Sequence, residues 1–410
     1  MATAWDFEDS RVPALVKLAA ENFRSLRDVD VDLGDFNVLV GPNASGKSNL
    51  LDLIRFIGDS VRTDLGPAID LRGGFDAICF RAAKRRHIHI RVLTNVTSYS
   101  SPTALDDYQL EFWIGKSAKS ATRLLVREES FKFKRTRTRG RRITIDGSKV
   151  EVVDEGIGGQ EKSESRALLR SDSLGLSTLP RLSDEAGGTQ IREIAELFSS
   201  FRVYDIDVAA ARQPAPVTSD TRLAADASNL AAFLLRLRSD PEQFARLVDD
   251  ARAFVPGLDE LHFVSIGGSD EAVAIEIEEL VLPGRTPLSH ASFGTIRALA
   301  LLALLYDPHP PRLTCVEEID HGLHPYVFDR LTDRLREASK RTQLIVATHS
   351  PAFVNRLKPC ELIVCERDPE TGGSAIPAIT GEQVEKAAAE ATELGLGELW
   401  FSGTLGGVPE

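Results

Sequence analysis

The stretch Gly41-Pro42-Asn43-Ala44-Ser45-Gly46-Lys47-Ser48 constrains this chain more than any other. It fits G-x-x-x-x-G-K-[ST], and its flanks suit that motif. Before it, Phe36–Val40 is an apolar run of buried-strand length. After it, SNLLDLIRFI has the apolar spacing of an amphipathic helix. A strand feeding a helix through such a loop is an α/β element with a phosphate-binding turn. Glycines let backbone N–H groups turn inward around phosphate oxygens. The helix N-terminus adds a field that favours negative charge. In such a loop Lys47 reaches the terminal phosphates and the Ser48 hydroxyl ligates Mg²⁺, with Asn49 next in the helix.

The last third of the chain returns to buried α/β patterning. Residues 295–306 are almost wholly apolar and stop at Asp307-Pro308, the pattern of a buried helix. Leu313–Val316 is a short apolar strand that runs into Glu317-Glu318. Carboxylates at the C-terminal edge of a buried strand lie where α/β sheets bind ligands. Glu317 is assigned to the metal, and Glu318 to orienting and deprotonating an attacking water. A second apolar strand, 344–347, ends at Thr348-His349-Ser350-Pro351. His349 is therefore placed to hydrogen-bond a terminal phosphate or the attacking water and to report nucleotide state. Ser292, ahead of the apolar helix, is a good N-cap. With Gly294 close behind it, the same free N–H groups and hydroxyl also make an anion site, able to serve a second nucleotide in a partner subunit.

In this order the elements resemble the ABC-type ATPase heads. They more closely resemble the RecF/SMC-like and OLD-like bacterial group labelled "AAA family ATPase". The residues that carry the resemblance are NFRSL (22–26), VLVGPNASGKSNLLDLI (38–54), RGGFDAI (72–78), SFGTIRALALL (292–302), VEEIDHGLHP (316–325) and IVATHSP (345–351). It implies an α/β P-loop NTPase fold in the form of a two-lobed ABC-type ATPase head that binds ATP and Mg²⁺. It also implies a head-to-tail dimer, in which each nucleotide is closed by the partner's Ser292 and Gly294 with Asp320 at the seam. Arg24 and Ser25 match a short motif that approaches the nucleotide in such heads. Some positions depart from the family pattern. Glu317 stands where Asp is usual, Phe293 separates Ser292 from Gly294, and neither Gln109 nor Gln213 has the context of a Q-loop glutamine. The 245 residues from Lys47 to Ser292 are far more than a transporter ATPase has. OLD-like proteins continue into a TOPRIM nuclease domain, whereas 61 residues follow His349 here, so nuclease chemistry is expected from a separate protein. Asp205-Ile206-Asp207 is expected to be a strand end rather than a metal site.

Between the two ends the character changes. Residues 87–94, 108–114, 122–134 and 142–153 alternate with period two, which predicts an antiparallel meander. Residues 155–200 are polar and then helical. Residues 227–255 read as helix with Ser228 or Asn229 as cap, and 259–281 read again as strands. The expected organisation is an N-terminal head segment (1–83), an inserted β-rich and helical lobe (84–288) and a C-terminal head segment (289–410).

The 410 residues carry a formal net charge of −12, which argues against a surface coated with nucleic acid. The charge is uneven, because KFKRTRTRGRR (132–142) holds seven cations and no acid. On a strand, Arg135, Arg137, Arg139 and Arg141 would share one face, which suits the phosphate backbone of DNA or RNA. Such charge equally defends a sheet edge. The longest apolar run is nine residues, against roughly 20 for a membrane-spanning helix. The acidic N-terminus lacks a signal-peptide pattern, and the four cysteines show no metal spacing, so a cytoplasmic protein is expected. Trp400-Phe401 either docks a partner or packs on its own domain. Three roles fit. One is an ATPase acting on nucleic acid with a separate nuclease or TOPRIM-like effector, of the anti-phage defence type. The others are a RecF-like repair ATPase and an ATP-dependent assembly scaffold with slow hydrolysis.

Overall fold

The computed structural model describes residues 13–116, 123–134, 140–155, 162–167, 173–179, 188–218, 222–267, 271–391 and 394–406. The chain divides into two compact units. One comprises Met1–Phe201, Pro359–Leu394 and Leu399–Glu410, and the other Arg202–Lys358 and Gly395–Glu398.

The first unit is built on an eight-stranded antiparallel sheet. Leu15–Phe23 pairs with Leu26–Asp32 on one side and with His87–Thr94 on the other. Asp106–Lys116, Arg123–Phe133, Gly140–Asp146, Lys149–Glu155 and Lys162–Ala167 follow in chain order. The meander therefore continues the sheet that begins at Leu15. The run 142–153, expected as one strand, is two. Gly147 takes φ 54° and turns the chain so that Asp146 pairs with Lys149 across a two-residue Gly147-Ser148 loop, whose first position favours glycine. Period-two alternation points Ile88, Ile90, Val92, Tyr108, Phe112, Phe131 and Ile143 into the core. Helix Lys47–Thr63 and helix Gly188–Ser199 pack against that core. Phe56 lies 5.4 Å from the Phe23 ring and 5.7 Å from Phe112, and Phe198 lies 5.6 Å from Tyr108. The strand Phe36–Val40 is buried along its whole length and runs parallel to Leu362–Val364, with Val38 opposite Leu362.

The second unit holds three parallel strands, Arg202–Tyr204, Leu313–Val316 and Gln343–Thr348, in register through Val203, Cys315 and Ile345. The latter two are buried at every position, as the continuous apolar pattern requires. Helix Phe293–Leu305 is buried from Ile296 onward, so it is a core helix with no polar face. A small antiparallel sheet pairs Leu258–Ser265 with Ala272–Glu279, which also pairs with Arg285–Pro287 and Ala215–Pro216. The stretch 227–255, read as helical, holds two helices, Leu230–Leu237 and Pro241–Phe254. Asp240 breaks it by accepting from Gln243 N at 3.1 Å, with Pro241 opening the second helix. Asn229 stands at the N-cap position of the first, but its Oδ1 accepts from Ala224 N instead. Among the described residues no helix is long and apolar enough to cross a membrane.

One buried carboxylate ties the second unit's helices together. Asp250 has a fully buried side chain. It accepts from Arg330 Nε and Arg334 Nε, each at 2.5 Å, and from Tyr306 Oη at 2.7 Å. Burial alone would raise its pKa, but the hydrogen bonds from Arg334, Tyr306 and Arg330 hold it below the usual carboxylate range. Its stabilisation is therefore complete above the unfolded pKa and is lost as pH falls through the lowered folded value. Asp250→Asn should cost about 2 kcal/mol at neutral pH. Urea unfolding at pH 7 checks this, and the deficit against the unmodified chain should shrink in the acid range, below about pH 4.

Candidate nucleotide site

In the first unit the buried strand Phe36–Val40 delivers the chain to Gly41 at the strand's C-terminal end. The loop then bends through two left-handed residues, Ala44 at φ 65° and Gly46 at φ 108°. Both glycines of the motif are sterically required. A Cβ on Gly41 would strike the Cys365 carbonyl oxygen, and one on Gly46 would strike the Ser374 hydroxyl and come within 3.2 Å of Ser25 Oγ. Lys47 opens the helix and is buried. Its ammonium donates to Gly41 O at 2.8 Å, Pro42 O at 2.9 Å and Ser45 Oγ at 3.4 Å, so the cation is held over the loop's own acceptors. Burial pushes the neighbouring Cys365 thiol up to about 12 despite Lys47, which makes it an inert wall. Asn43, Ala44 and Ser48 are exposed at the mouth of the loop.

A polar floor lies beneath this loop. Ser25 Oγ accepts from Asn49 Nδ2 at 2.6 Å and shares a 2.7 Å hydrogen bond with Ser374 Oγ. The Ser374 N–H donates to Ser25 O at 2.7 Å. Arg24, at φ 50°, places Nε 2.9 Å from Asp52 of the loop helix. Arg72, from the RGGFDAI stretch, reaches Asp52 at 3.1 Å and Asp59 at 2.9 Å while lying over the Phe56 ring. Arg24 and Ser25 are therefore brought to the loop helix. Two further groups went unread in the sequence. They are Ser374 and Arg367, whose Nη1 donates to Ala44 O at 3.3 Å. Both lie on the hairpin Glu366–Arg367 with Ser374–Ala375, whose short strands carry no periodic signal.

In the second unit Glu317 and Glu318 follow the strand Leu313–Val316, with Glu318 in the left-handed region at φ 49°. Arg297, from the Ser292–Gly294 helix, fixes this turn. Its Nη2 donates to Glu317 O at 2.8 Å and Glu318 O at 2.7 Å, and its Nη1 donates to Ile206 O at 3.1 Å. Burial lowers the Arg297 pKa, against the opposing pull of Glu318, Asp205 and Asp320. The Glu318 carboxylate points out and meets His321 Nδ1 at 3.0 Å. The Ser292 hydroxyl caps its helix by accepting from Thr295 N at 3.1 Å and remains exposed. A Cβ on Gly294 would sit 2.5 Å from Gly322 O, so the helix start and the 316–325 segment are in close contact. Asp320 accepts from Thr348 Oγ1 at 2.5 Å, and Thr348 Oγ1 in turn accepts from Ser350 N at 3.0 Å, which frames the half-buried His349 between them. A cavity of about 400 Å³ opens beside Glu318, lined by Asp205, Asp207, Arg212, Phe293, Arg297 and His321 among others. Asp207 is the N-cap of helix Val208–Ala211, accepting from Ala209 N at 2.7 Å.

The remaining candidates are placed elsewhere. Arg135, Arg137 and Arg139 lie outside the described residues. Arg141 is not free for a phosphate backbone. It sits on the same strand face as buried Ile143 and Ile145 and makes a two-pronged pair with Asp154 at 2.7 and 3.1 Å. Gln109 donates to Asp107 within the meander, and Gln213 to Ala209 O at 3.4 Å. Trp400 is buried and Phe401 exposed.

The phosphate loop, the acidic strand end and the sheets that carry them define a P-loop ATPase head. The family model described as "AAA domain, putative AbiEii toxin, Type IV TA system" matches residues 36–355, and the chain belongs to that family. Among solved structures the chain is similar to an Smc head bound to the C-winged helix domain of ScpA. That match has a TM-score of 0.51 at 15% identity and covers 89% of this chain and 97% of that one. It is also similar to the Smc head domain with an extended coiled coil, bound to the C-terminal domain of ScpA, derived from Pyrococcus furiosus. There the TM-score is 0.51 at 14% identity, covering 93% of this chain and 100% of that one. No curated protein matches the chain.

The floor beneath the loop generates a test. Ser374→Ala removes one hydroxyl bonded to Ser25 and leaves the backbone pairing in place. Losing one such bond should weaken binding of a fluorescent ATP analogue roughly fivefold, equivalent to about 1 kcal/mol. Unchanged affinity would remove Ser374 from the site.

Proposed function

We propose that the chain binds Mg-ATP at Gly41–Ser48 and hydrolyses it when two heads associate head-to-tail. The observation that carries this reading is the loop itself. Gly46 is left-handed and hemmed in by hydroxyls, and a buried Lys47 rests on the carbonyls of Gly41 and Pro42. In this reading Lys47 exchanges those carbonyls for phosphate oxygens, to which its charge is better matched. The Ser48 hydroxyl and the Glu317 carboxylate are hard oxygen donors, the ligand type Mg²⁺ takes, and they are the groups that would hold it. When bound, Mg²⁺ neutralises charge on the phosphates. Glu318 orients the attacking water and accepts its proton, and His349 hydrogen-bonds the terminal phosphate. Ser292 and Gly294 offer helix N–H groups to the partner's nucleotide, with Asp320 at the seam.

Lys47→Ala should weaken ATP binding on the order of 100-fold by removing a buried cation from its anion. Glu318→Gln should keep ATP binding and lower turnover about 100-fold or more by removing the base. It should also accumulate an ATP-dependent dimer by size-exclusion chromatography with light scattering. Full turnover in Glu318→Gln would overturn the assignment.

We further infer a nucleic-acid-directed role of the anti-phage defence type, with a separate nuclease or TOPRIM-like effector as partner. The Smc heads to which the chain is similar carry a bound ScpA domain, which supports a protein partner seated on the head. The arginine-rich run 132–142, on a chain of net charge −12, supports DNA or RNA as the other partner. Because Arg141 is engaged with Asp154, the phosphate-contacting set reduces to Arg135, Arg137 and Arg139. Changing those three to Glu should abolish salt-sensitive binding to duplex DNA or RNA measured by fluorescence anisotropy, while Arg141→Glu alone should chiefly destabilise the sheet. ATPase activity that DNA and RNA leave unchanged, with ATP-driven oligomerisation, would favour the assembly scaffold instead.

A further inference from the structure

On the small antiparallel sheet of the second unit, outside the sequence motifs discussed so far, one face collects an imidazole and three carboxylates. The strands Leu258–Ser265 and Ala272–Glu279 pair so that Glu260 stands opposite Glu278 and His262 opposite Glu276. Period two puts all four on the same face, and the intervening Leu261, Ile275 and Ile277 fill the core on the other. The imidazole does not meet the carboxylate directly across from it. It leans along the diagonal, with Nε2 2.7 Å from Glu278 Oε2 and 3.7 Å from Glu260 Oε2. Ligand atoms of Glu260, His262 and Glu278 all lie within 4.8 Å of one another.

We propose that Glu260, His262 and Glu278 form a binding site for a divalent first-row transition metal, with Zn²⁺ the best match. Three physical points carry it. First, two ligands of a tetrahedral Zn²⁺, each about 2.0–2.1 Å from the metal, are separated by about 3.3 Å. The observed spacings of 2.7 and 3.7 Å bracket that value, so small side-chain rotations complete the geometry. Second, a directly opposed Glu–Glu pair across an antiparallel ladder is repulsive. Here Glu260 opposes Glu278, and Glu276 adds a third carboxylate on the same face. Among the described residues a guanidinium, that of Arg285, also approaches this face, but its Nε stays 3.8 Å from Glu278 and its Nη1 4.0 Å from Glu276. A divalent ion among these oxygens relieves the repulsion. Third, an imidazole nitrogen with two carboxylates suits Zn²⁺, Mn²⁺ or Co²⁺ rather than the all-oxygen preference of Mg²⁺ and Ca²⁺. Glu260 is exposed, so a fourth position is open to water or to a donor from a partner. The ion would cross-link two strands whose connection spans residues 266–271.

The experiment uses the full chain without nucleotide, so its outcome does not depend on the ATPase reading. Cys360, the one exposed thiol among the described residues, is replaced by Ser to remove a competing soft ligand. Isothermal titration with Zn²⁺ should give one saturable site per chain, and Co²⁺ substitution should give visible d–d absorption of a four- or five-coordinate ion. His262→Ala and Glu278→Gln should each weaken binding tenfold or more, and Glu260→Gln should do the same without disturbing the buried face. His89→Ala, a half-buried histidine near Glu21 in the other unit, should leave affinity unchanged. Absence of saturable Zn²⁺ binding overturns the proposal, as does binding that survives His262→Ala and Glu260→Gln together.

Discussion

The buried guanidinium of Arg297 is the interaction on which the acidic strand end depends. A short parallel strand leaves its last carbonyls unsatisfied where it breaks off, and Glu317 and Glu318 do so in a partly desolvated place. Arg297 meets both carbonyls with one nitrogen and Ile206 O with the other, so a single side chain sets the ends of two strands and the turn between two carboxylates. It also belongs to the helix that begins at Ser292. Any displacement of that helix start is therefore transmitted to the backbone beneath Glu318 by charge-assisted hydrogen bonds, which are stronger and more directional than apolar packing. Arg297 thereby joins the helix that begins at Ser292 to the backbone of Glu317 and Glu318. The contact between Gly294 and Gly322 O adds a second, steric coupling between the same two segments.

The phosphate loop solves its own version of the problem with hydroxyls. Its own backbone supplies a weak hold, a 3.3 Å bond from the Ser45 N–H to Pro42 O. It is also held from below. Ser25, Ser374 and Asn49 form a short hydroxyl–amide chain, and the side-chain-free faces of Gly41 and Gly46 let the loop settle onto Cys365 O and the Ser374 hydroxyl. The floor comes from residues 24–25, at the turn between Leu15–Phe23 and Leu26–Asp32, and 365–374, which follow the strand paired with Phe36–Val40, chain segments more than 300 residues apart. The NFRSL stretch thus contributes structure beneath the loop, through Ser25 to Asn49 and Ser374 and through Arg24 to Asp52.

Local signals in the sequence were sufficient for much of this. Phe36–Val40, His87–Thr94 and Leu313–Val316 are read with their observed bounds because uninterrupted or strictly alternating apolar patterns end at unambiguous polar residues. The alternating run 142–153 was over-extended across the turn at Gly147-Ser148, and the break at Asp240-Pro241 inside the helical stretch 227–255 went unread, because apolar periodicity outweighed the punctuation. The site divides along the same line. Residues of contiguous motifs were legible, whereas Ser374, Arg367 and Arg297 act across the fold. Their partners are backbone carbonyls, serine hydroxyls and loop atoms, groups that leave no spacing in a sequence. The basic run shows the opposite failure. Its arginine periodicity was plain, but the pairing that turns Arg141 toward Asp154 depends on a register that only the folded sheet supplies.

Backbone strain is concentrated in the motif segments. Six non-glycine residues among those described have positive φ, and four of them lie in motif segments: Asn22 and Arg24 beside the loop floor, Ala44 in the loop and Glu318 at the acidic end. Each left-handed non-glycine residue costs on the order of 1 kcal/mol, so it persists only where its surroundings over-determine it. At Arg24 that surrounding is a 2.6 Å bond from its own N–H to Ile78 O and the ion pair with Asp52. At Glu318 it is Arg297 on two consecutive carbonyls. The strain has a geometric purpose in both cases. An ordinary extended residue at 318 would carry the carboxylate onward along the strand direction, whereas the left-handed turn points it out beside His321 and the cavity. Glycine would adopt the same backbone more cheaply but would bring no carboxylate, so Glu318 keeps both the left-handed turn and an outward carboxylate at one position.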